Sequence, residues 1–172
     1  MEKYIRKLIK KNPEIALMPT KKLNRYRTLL KKGHRTEEDW DIIKDLLLEC
    51  HVLSIEPSKE LPPYKPNQHI LQQGKDLLVF TNAKSCQKYL DHLSKFYKKR
   101  AADTLFLIGS LPFQEVMDFA DDSKLDIVID DPLRIEEKYL KYTSQEGKLT
   151  AVMNSNIGSL LKGFQRLLKM KP

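Results

Sequence analysis

Between Leu77 and Pro132 the chain alternates three short apolar runs, LLVFT, TLFLIG and LDIVIDDP, with two longer amphipathic stretches, NAKSCQKYLDHLSKF and LPFQEVMDFA. Runs this short and this apolar, bounded by turn residues and separated by helical spacing, read as buried strands joined through helices. They predict an α+β or α/β core with three strands side by side at its centre, a mixed sheet and flanking helices. A chain of 172 residues is long enough to bury such a core as a single domain.

The flanks read as mostly helical. Tyr4, Ile5, Leu8 and Ile9 share one face of a basic segment over residues 2–11, and Asn12-Pro13 interrupts it. Leu23, Tyr26, Leu29 and Leu30 repeat at helical spacing up to Gly33, a C′ position. Thr36 is an N-cap residue with Glu37, Glu38 and Asp39 in the turn behind it, where the helix dipole favours acids. A strand over His51–Glu56 follows, then the four-proline segment 57–68, an extended connection. Residues 69–81 predict a hairpin turning at Gly74-Lys75-Asp76, and Thr81 or Asn82 caps the next helix. A helix is expected from Leu111 to about Ala120, with Ser110 as its cap and Pro112 in its first turn. The tail predicts a helix over 134–142, a loop near Gly147 and a last helix over 159–169. The organisation expected is therefore a domain over 1–132 with a helical N-terminal part (1–50), and a basic helical extension over 133–172 packed on it.

Net charge is +8, but its distribution is blocked: +10 over residues 1–35, −6 over 36–56, +6 over 57–100, −7 over 101–146 and +5 over 147–172. Alternating blocks hold one part of a chain against another or present a basic face to a polyanion. No apolar run reaches the about 18 residues a membrane span needs, and the N-terminus lacks the apolar region and cleavage site of a secretory signal. Cys50 and Cys86 lie in apolar stretches without close-spaced partners, which suits reduced buried thiols and a cytoplasmic setting.

The order of strand, helix and closing strand resembles the N-terminal domain of the SseB family, bacterial proteins named for enhanced serine sensitivity. The matching residues are LLVFTNAKSCQKYL, with Phe80-Thr81 closing the strand and Tyr89 in the helix, and LPFQEVMDFADDSKLDIVIDDP. Asn12-Pro13-Glu14 and WDIIKDLLLECHVLSI stand where that family has its opening helices and first strand, so the resemblance covers residues 12–132. The family usually closes the last strand with Asn-Pro, where this chain has Asp131-Pro132, and carries more glycine before it, where this chain has Asp122-Ser123-Lys124. The resemblance implies a fold more than an activity, since the family has no agreed catalytic one.

Chemistry-bearing patterns are few. Gly109-Ser110 joins strand to helix, but neither GxGxxG nor GxxxxGK[ST] is present, and IGSLPF lacks the second glycine of a nucleophile elbow. Asp130-Asp131 closes a strand where α/β proteins often place acids, yet the earlier strands end in Phe80-Thr81-Asn82 and Gly109-Ser110, without the further acids of a Mg²⁺ or phosphoacceptor site. The reading is then a turn, in which Asp before Pro bonds nearby backbone N–H groups. The four histidines and two cysteines show no ligand spacing, so no metal and no cofactor is expected. With no catalytic constellation, a non-enzymatic role through binding another protein is expected, with self-association open. The candidate surface is the rim Phe80, Thr81, Asp130, Asp131 and Pro132, together with the tail face carrying Phe164 and Leu167. Two alternatives stand beside it. One is a nucleic-acid-associated protein using residues 1–35 and 95–100, although 24 lysines against 7 arginines suit a solvated surface better. The other is a toxin-immunity type of binding protein.

Overall fold

The computed structural model describes residues 17–57, 70–96, 106–133 and 138–153. The expected N-terminal helix over 2–11, the proline-rich connection and the 159–169 helix with Phe164 and Leu167 lie outside the described residues. The described elements are, in order, α1 (Thr20–Lys31), α2 (Glu37–Leu48), β1 (His51–Pro57), β2 (Gln72–Gln73), β3 (Asp76–Val79), α3 (Ala83–Phe96), β4 (Phe106–Pro112), α4 (Phe113–Ser123), β5 (Asp126–Ile129), β6 (Lys138–Thr143) and β7 (Lys148–Met153).

The strands make a mixed sheet. β2, β3, β5, β6 and β7 lie side by side in that order, with β3 and β5 parallel and the other pairs antiparallel. β1 and β4 form a second antiparallel pair. Reciprocal backbone bonds between Leu53 and Phe80, 2.7 and 2.9 Å, stitch β1 onto the end of β3. The fold is thus α+β, with helices on both faces of the sheet.

Side-chain alternation along the strands builds two cores. Leu77 and Val79, Ile127 and Ile129, and Leu140 and Tyr142 point to one face, where Tyr26 and Leu29 of α1, Ile43 and Leu47 of α2, and Phe113, Val116 and Ala120 of α4 cover them. Leu78, Phe80, Val128 and Tyr139 point to the other, where they meet Leu53 and Ile55 of β1 and Cys86, Tyr89 and Leu90 of α3. Burial on both faces is why LLVF and DIVI read as continuous apolar runs rather than alternating ones.

Helix ends follow local chemistry. Thr36 and Asp39 form a reciprocal capping box: the Thr36 hydroxyl accepts from the Asp39 amide (3.1 Å), and the Asp39 carboxylate accepts from the Thr36 amide (3.0 Å). At the end of α1, Gly33 follows the C-cap, and the Arg35 guanidinium donates to the Leu30 and Lys32 carbonyls at 2.7 and 2.9 Å. Arg35 also lies 5.0 Å over the Trp40 ring.

Three expectations are corrected. The predicted helix over 134–142, and with it the all-helical extension from 133, gives way to the β6–β7 hairpin, which turns at Gly147 (φ 63°) and adds two strands beside β5. KYLKYT carries a lysine at its centre and so does not read as a strand. Lys141 lies between Asp76 (3.3 Å) and Asp126 (3.4 Å), at the starts of β3 and β5, and that pairing lets a mostly buried lysine sit in a sheet. Ser110 does not cap α4. It pairs with Leu53 inside β4, which runs on to Pro112, and Pro112 is the N-cap residue. The three apolar runs are not all adjacent: β3 and β5 are neighbours, while β4, which holds the described part of the middle run, pairs with β1 instead.

Two expectations about stability follow. Phe80→Ala should cost about 3–5 kcal/mol in urea unfolding, as for a large side chain removed from a packed core; Phe80 is fully buried. Thr36→Ala should cost about 1 kcal/mol through the lost cap. The Thr36 amide, followed by Lys32, holds the Asp39 carboxyl below its ordinary 3.8, so its contribution is present above that pH and fades as pH falls through the lowered value. The stability gap between Asp39→Asn and the parent should therefore close below pH 4, measured by urea titration.

Candidate functional site

The carboxyl ends of β3 and β5 are held together by one side chain. After Ile129 the chain makes a three-residue turn in which the Asp131 amide donates to the Ile129 carbonyl (2.9 Å), and Asp130 at its centre has φ 67°. Aspartate is one of the few non-glycine residues that enters this left-handed region readily. The turn aims the Asp130 carboxylate back at the start of α3. Oδ1 accepts from the Thr81 amide (2.7 Å) and the Ser85 hydroxyl (2.8 Å), and Oδ2 accepts from the Thr81 hydroxyl (2.6 Å). Asn82 completes the arrangement. Its side chain donates to the Thr81 hydroxyl oxygen (3.1 Å) and caps α3 by accepting from the Ser85 amide (2.9 Å). Burial pushes the Asp130 carboxyl upward, while the Thr81 hydroxyl and amide, the Ser85 hydroxyl and the nearby Arg27 pull the other way.

A cleft of about 770 Å³ opens over these strand ends. Its walls come from the C-terminal half of α1, the first two turns of α3 and the segment after β5. Arg27 and Lys31, one turn apart on α1, and Lys84 and Lys88, one turn apart on α3, give the cleft two basic ridges, joined by Lys32 and by Lys138 at the start of β6. Lys32 also pairs with Asp39 at 3.0 Å. Among the described residues Lys31, Lys84, Lys88 and Lys138 have no carboxylate within salt-bridge distance. Tyr26 stands on the inner wall and is 2 % exposed, and its hydroxyl has no hydrogen-bond partner among the described residues. Burial, with the Asp130 carboxylate adding to it, pushes that hydroxyl well above the ordinary tyrosine range, so it stays protonated.

The expected rim residues divide. Asp130, Asp131, Pro132 and Thr81 all line the cleft. Phe80 does not, being fully buried against Tyr89 with ring centroids 5.9 Å apart, and it serves the core. The Asp130 side chain does not bond the nearby backbone as a simple turn would have it: its partners lie 45 and 49 residues earlier. Sequence reasoning missed Tyr26, Lys84, Ser85, Lys88 and Lys138. The i, i+4 pairs Arg27/Lys31 and Lys84/Lys88 were a visible signal, but two separate basic stripes on amphipathic helices read equally well as solvated faces.

Neither cysteine offers a nucleophile. Both are buried and free, burial raises both thiols, and Cys86 is pushed up to about 12. Among the described residues no three His, Cys, Asp or Glu side chains converge as a metal site, and no helix is long and apolar enough to cross a membrane. No known protein family, curated protein or solved structure matches the chain.

Asp130→Ala should destabilise by about 2–4 kcal/mol, because it orphans the Thr81 amide and hydroxyl, leaves the Ser85 hydroxyl only the Asn82 carbonyl at 3.2 Å, and places alanine at positive φ. Asp130→Asn, which tolerates that backbone and keeps one carbonyl oxygen, should cost roughly half as much. Equal losses in chemical denaturation would show that the hydrogen bonds across the strand ends contribute little.

Proposed function

We propose that this chain is a non-enzymatic binding protein whose partner presents negative charge to the cleft over the ends of β3 and β5. One observation carries the proposal: two facing basic ridges, Arg27/Lys31 and Lys84/Lys88, converge with Lys138 on a concave site, and four of these side chains have no internal carboxylate partner among the described residues. Cations gathered around a concave surface focus potential and favour an anionic occupant over what scattered surface lysines achieve. Lysines gathered in one cleft can hold a phosphate or carboxylate group as point charges, without the bidentate geometry of arginine. Asp130 supports a binding role over a catalytic one, because its oxygens already accept three hydrogen bonds and are poorly placed to take a proton from a substrate. The SseB-like kinship of residues 12–132 belongs to the same proposal and implies a fold more than an activity.

Thermal unfolding in rising concentrations of tripolyphosphate tests the reading. A ligand that binds only the folded state raises Tm with concentration, and the rise should shrink as salt is added. Lys84→Glu/Lys88→Glu, two exposed changes, should leave the ligand-free Tm nearly unchanged and abolish most of the shift. A shift of the same size in the double variant would remove the cleft from consideration.

A further inference from the structure

The cleft is stratified by charge. Lys31, Lys84 and Lys88 are exposed and stand at its mouth, whereas Asp130 and Asp131 lie further in and are only partly exposed. A helix N-terminus ordinarily attracts an anion, but at α3 a carboxylate already stands beside it: Asp130 accepts from the Thr81 amide, just before the cap, and from the Ser85 hydroxyl in the first turn. A second anion driven to the same depth would meet like charge. The anionic part of a ligand therefore belongs at the mouth, and whatever reaches the inner wall must be uncharged.

The inner wall asks for such a group. Tyr26 is 2 % exposed, and its buried hydroxyl has no hydrogen-bond partner among the described residues. Buried hydroxyls without partners are uncommon and costly, and each needs an explanation. Leu30, Pro132 and Leu133 supply apolar surface beside it. A volume of about 770 Å³ suits a small molecule.

We infer, resting on the anionic-ligand reading above, that the cleft takes a small phosphate ester with an uncharged, hydroxyl-bearing body, its phosphate against Lys84 and Lys88 and its body toward Tyr26. Sugar phosphates and nucleoside monophosphates share this chemistry. Inorganic phosphate lacks the body and a linear polyphosphate carries charge throughout, so neither satisfies the inner wall.

Calorimetric titration with ribose 5-phosphate, adenosine 5′-monophosphate, inorganic phosphate and ribose tests it. At least one ester should bind about tenfold or more tighter than inorganic phosphate, the gain expected when a buried polar group finds its partner, and ribose alone should bind below detection. The better of the two esters separates a sugar phosphate from a nucleotide. Tyr26→Phe should lose most of the ester's advantage while keeping the affinity for inorganic phosphate. Its ligand-free Tm should equal or exceed the parent's, because the hydroxyl it removes is unpartnered. Inorganic phosphate binding as tightly as both esters, or a full ester advantage surviving in Tyr26→Phe, would overturn the inference. Tripolyphosphate binding that is lost in Lys84→Glu/Lys88→Glu, without any preference for an ester, overturns this inference and leaves the anionic-ligand reading standing. Absence of binding by every anion overturns both.

Discussion

Everything in this structure is organised by the need to cover both faces of the parallel pair β3–β5. Leu77, Val79, Ile127 and Ile129 face one way, and Leu78, Phe80 and Val128 face the other, all at 2 % exposure or less. Two buried faces require helices on both sides. α1, α2 and α4 serve one face and α3 serves the other. The strand ends are what this arrangement leaves open, and the carboxyl ends of parallel strands are where α/β proteins tend to place ligands. The cleft follows from the burial of the sheet.

Asp130 is the point where fold and site become one problem. The three hydrogen bonds its carboxylate accepts join the end of β5 to the start of α3, and they hold the cleft's inner wall in place. The residue keeps a left-handed backbone to do so, a conformation that costs on the order of 1–3 kcal/mol in a non-glycine residue. Strain of this kind persists where the surroundings over-determine it. Here the Asp130 amide is also anchored to the Val79 carbonyl at 3.0 Å. The same carboxylate that closes the fold places a negative charge on the wall of an otherwise basic cleft.

What the sequence made legible was what depends on contiguous residues. The runs at 77–80 and 126–129 announce strands because both of their faces are buried, and Thr36 announces a helix start because its cap partner lies three residues away. KYLKYT was not legible, since its central Lys141 is accommodated by Asp76 and Asp126, which lie 65 and 15 positions away in the chain. Ser110 was misleading for a related reason: a serine two residues ahead of a proline is good capping chemistry, but its backbone is already engaged by β1. The cleft was least legible of all. It collects residues from 26–33, 81–89 and 130–138, so its concavity exists only once α1 and α3 are set on opposite faces of the sheet. Asp130, Asp131, Pro132 and Thr81 could be singled out because strand ends are local features, whereas Tyr26 looked like any other apolar position on α1.

The balance of charge within the cleft decides what kind of partner its surroundings favour. A surface that was basic throughout would attract any polyanion, with an affinity set by the number of phosphates it neutralises. Two aspartates behind the lysines change that. They leave long-range attraction intact, since five lysines and an arginine outnumber them, but they oppose deep entry by negative charge at short range, where screening is weakest. Attraction at the mouth and repulsion at the floor together select for a partner with its charge at one end. The Tyr26 hydroxyl, without a partner among the described residues, then favours an uncharged hydrogen-bonding group at the other end, because satisfying it gains more in a dry wall than in water. Discrimination in such a site comes from the inner wall, and capture comes from the rim.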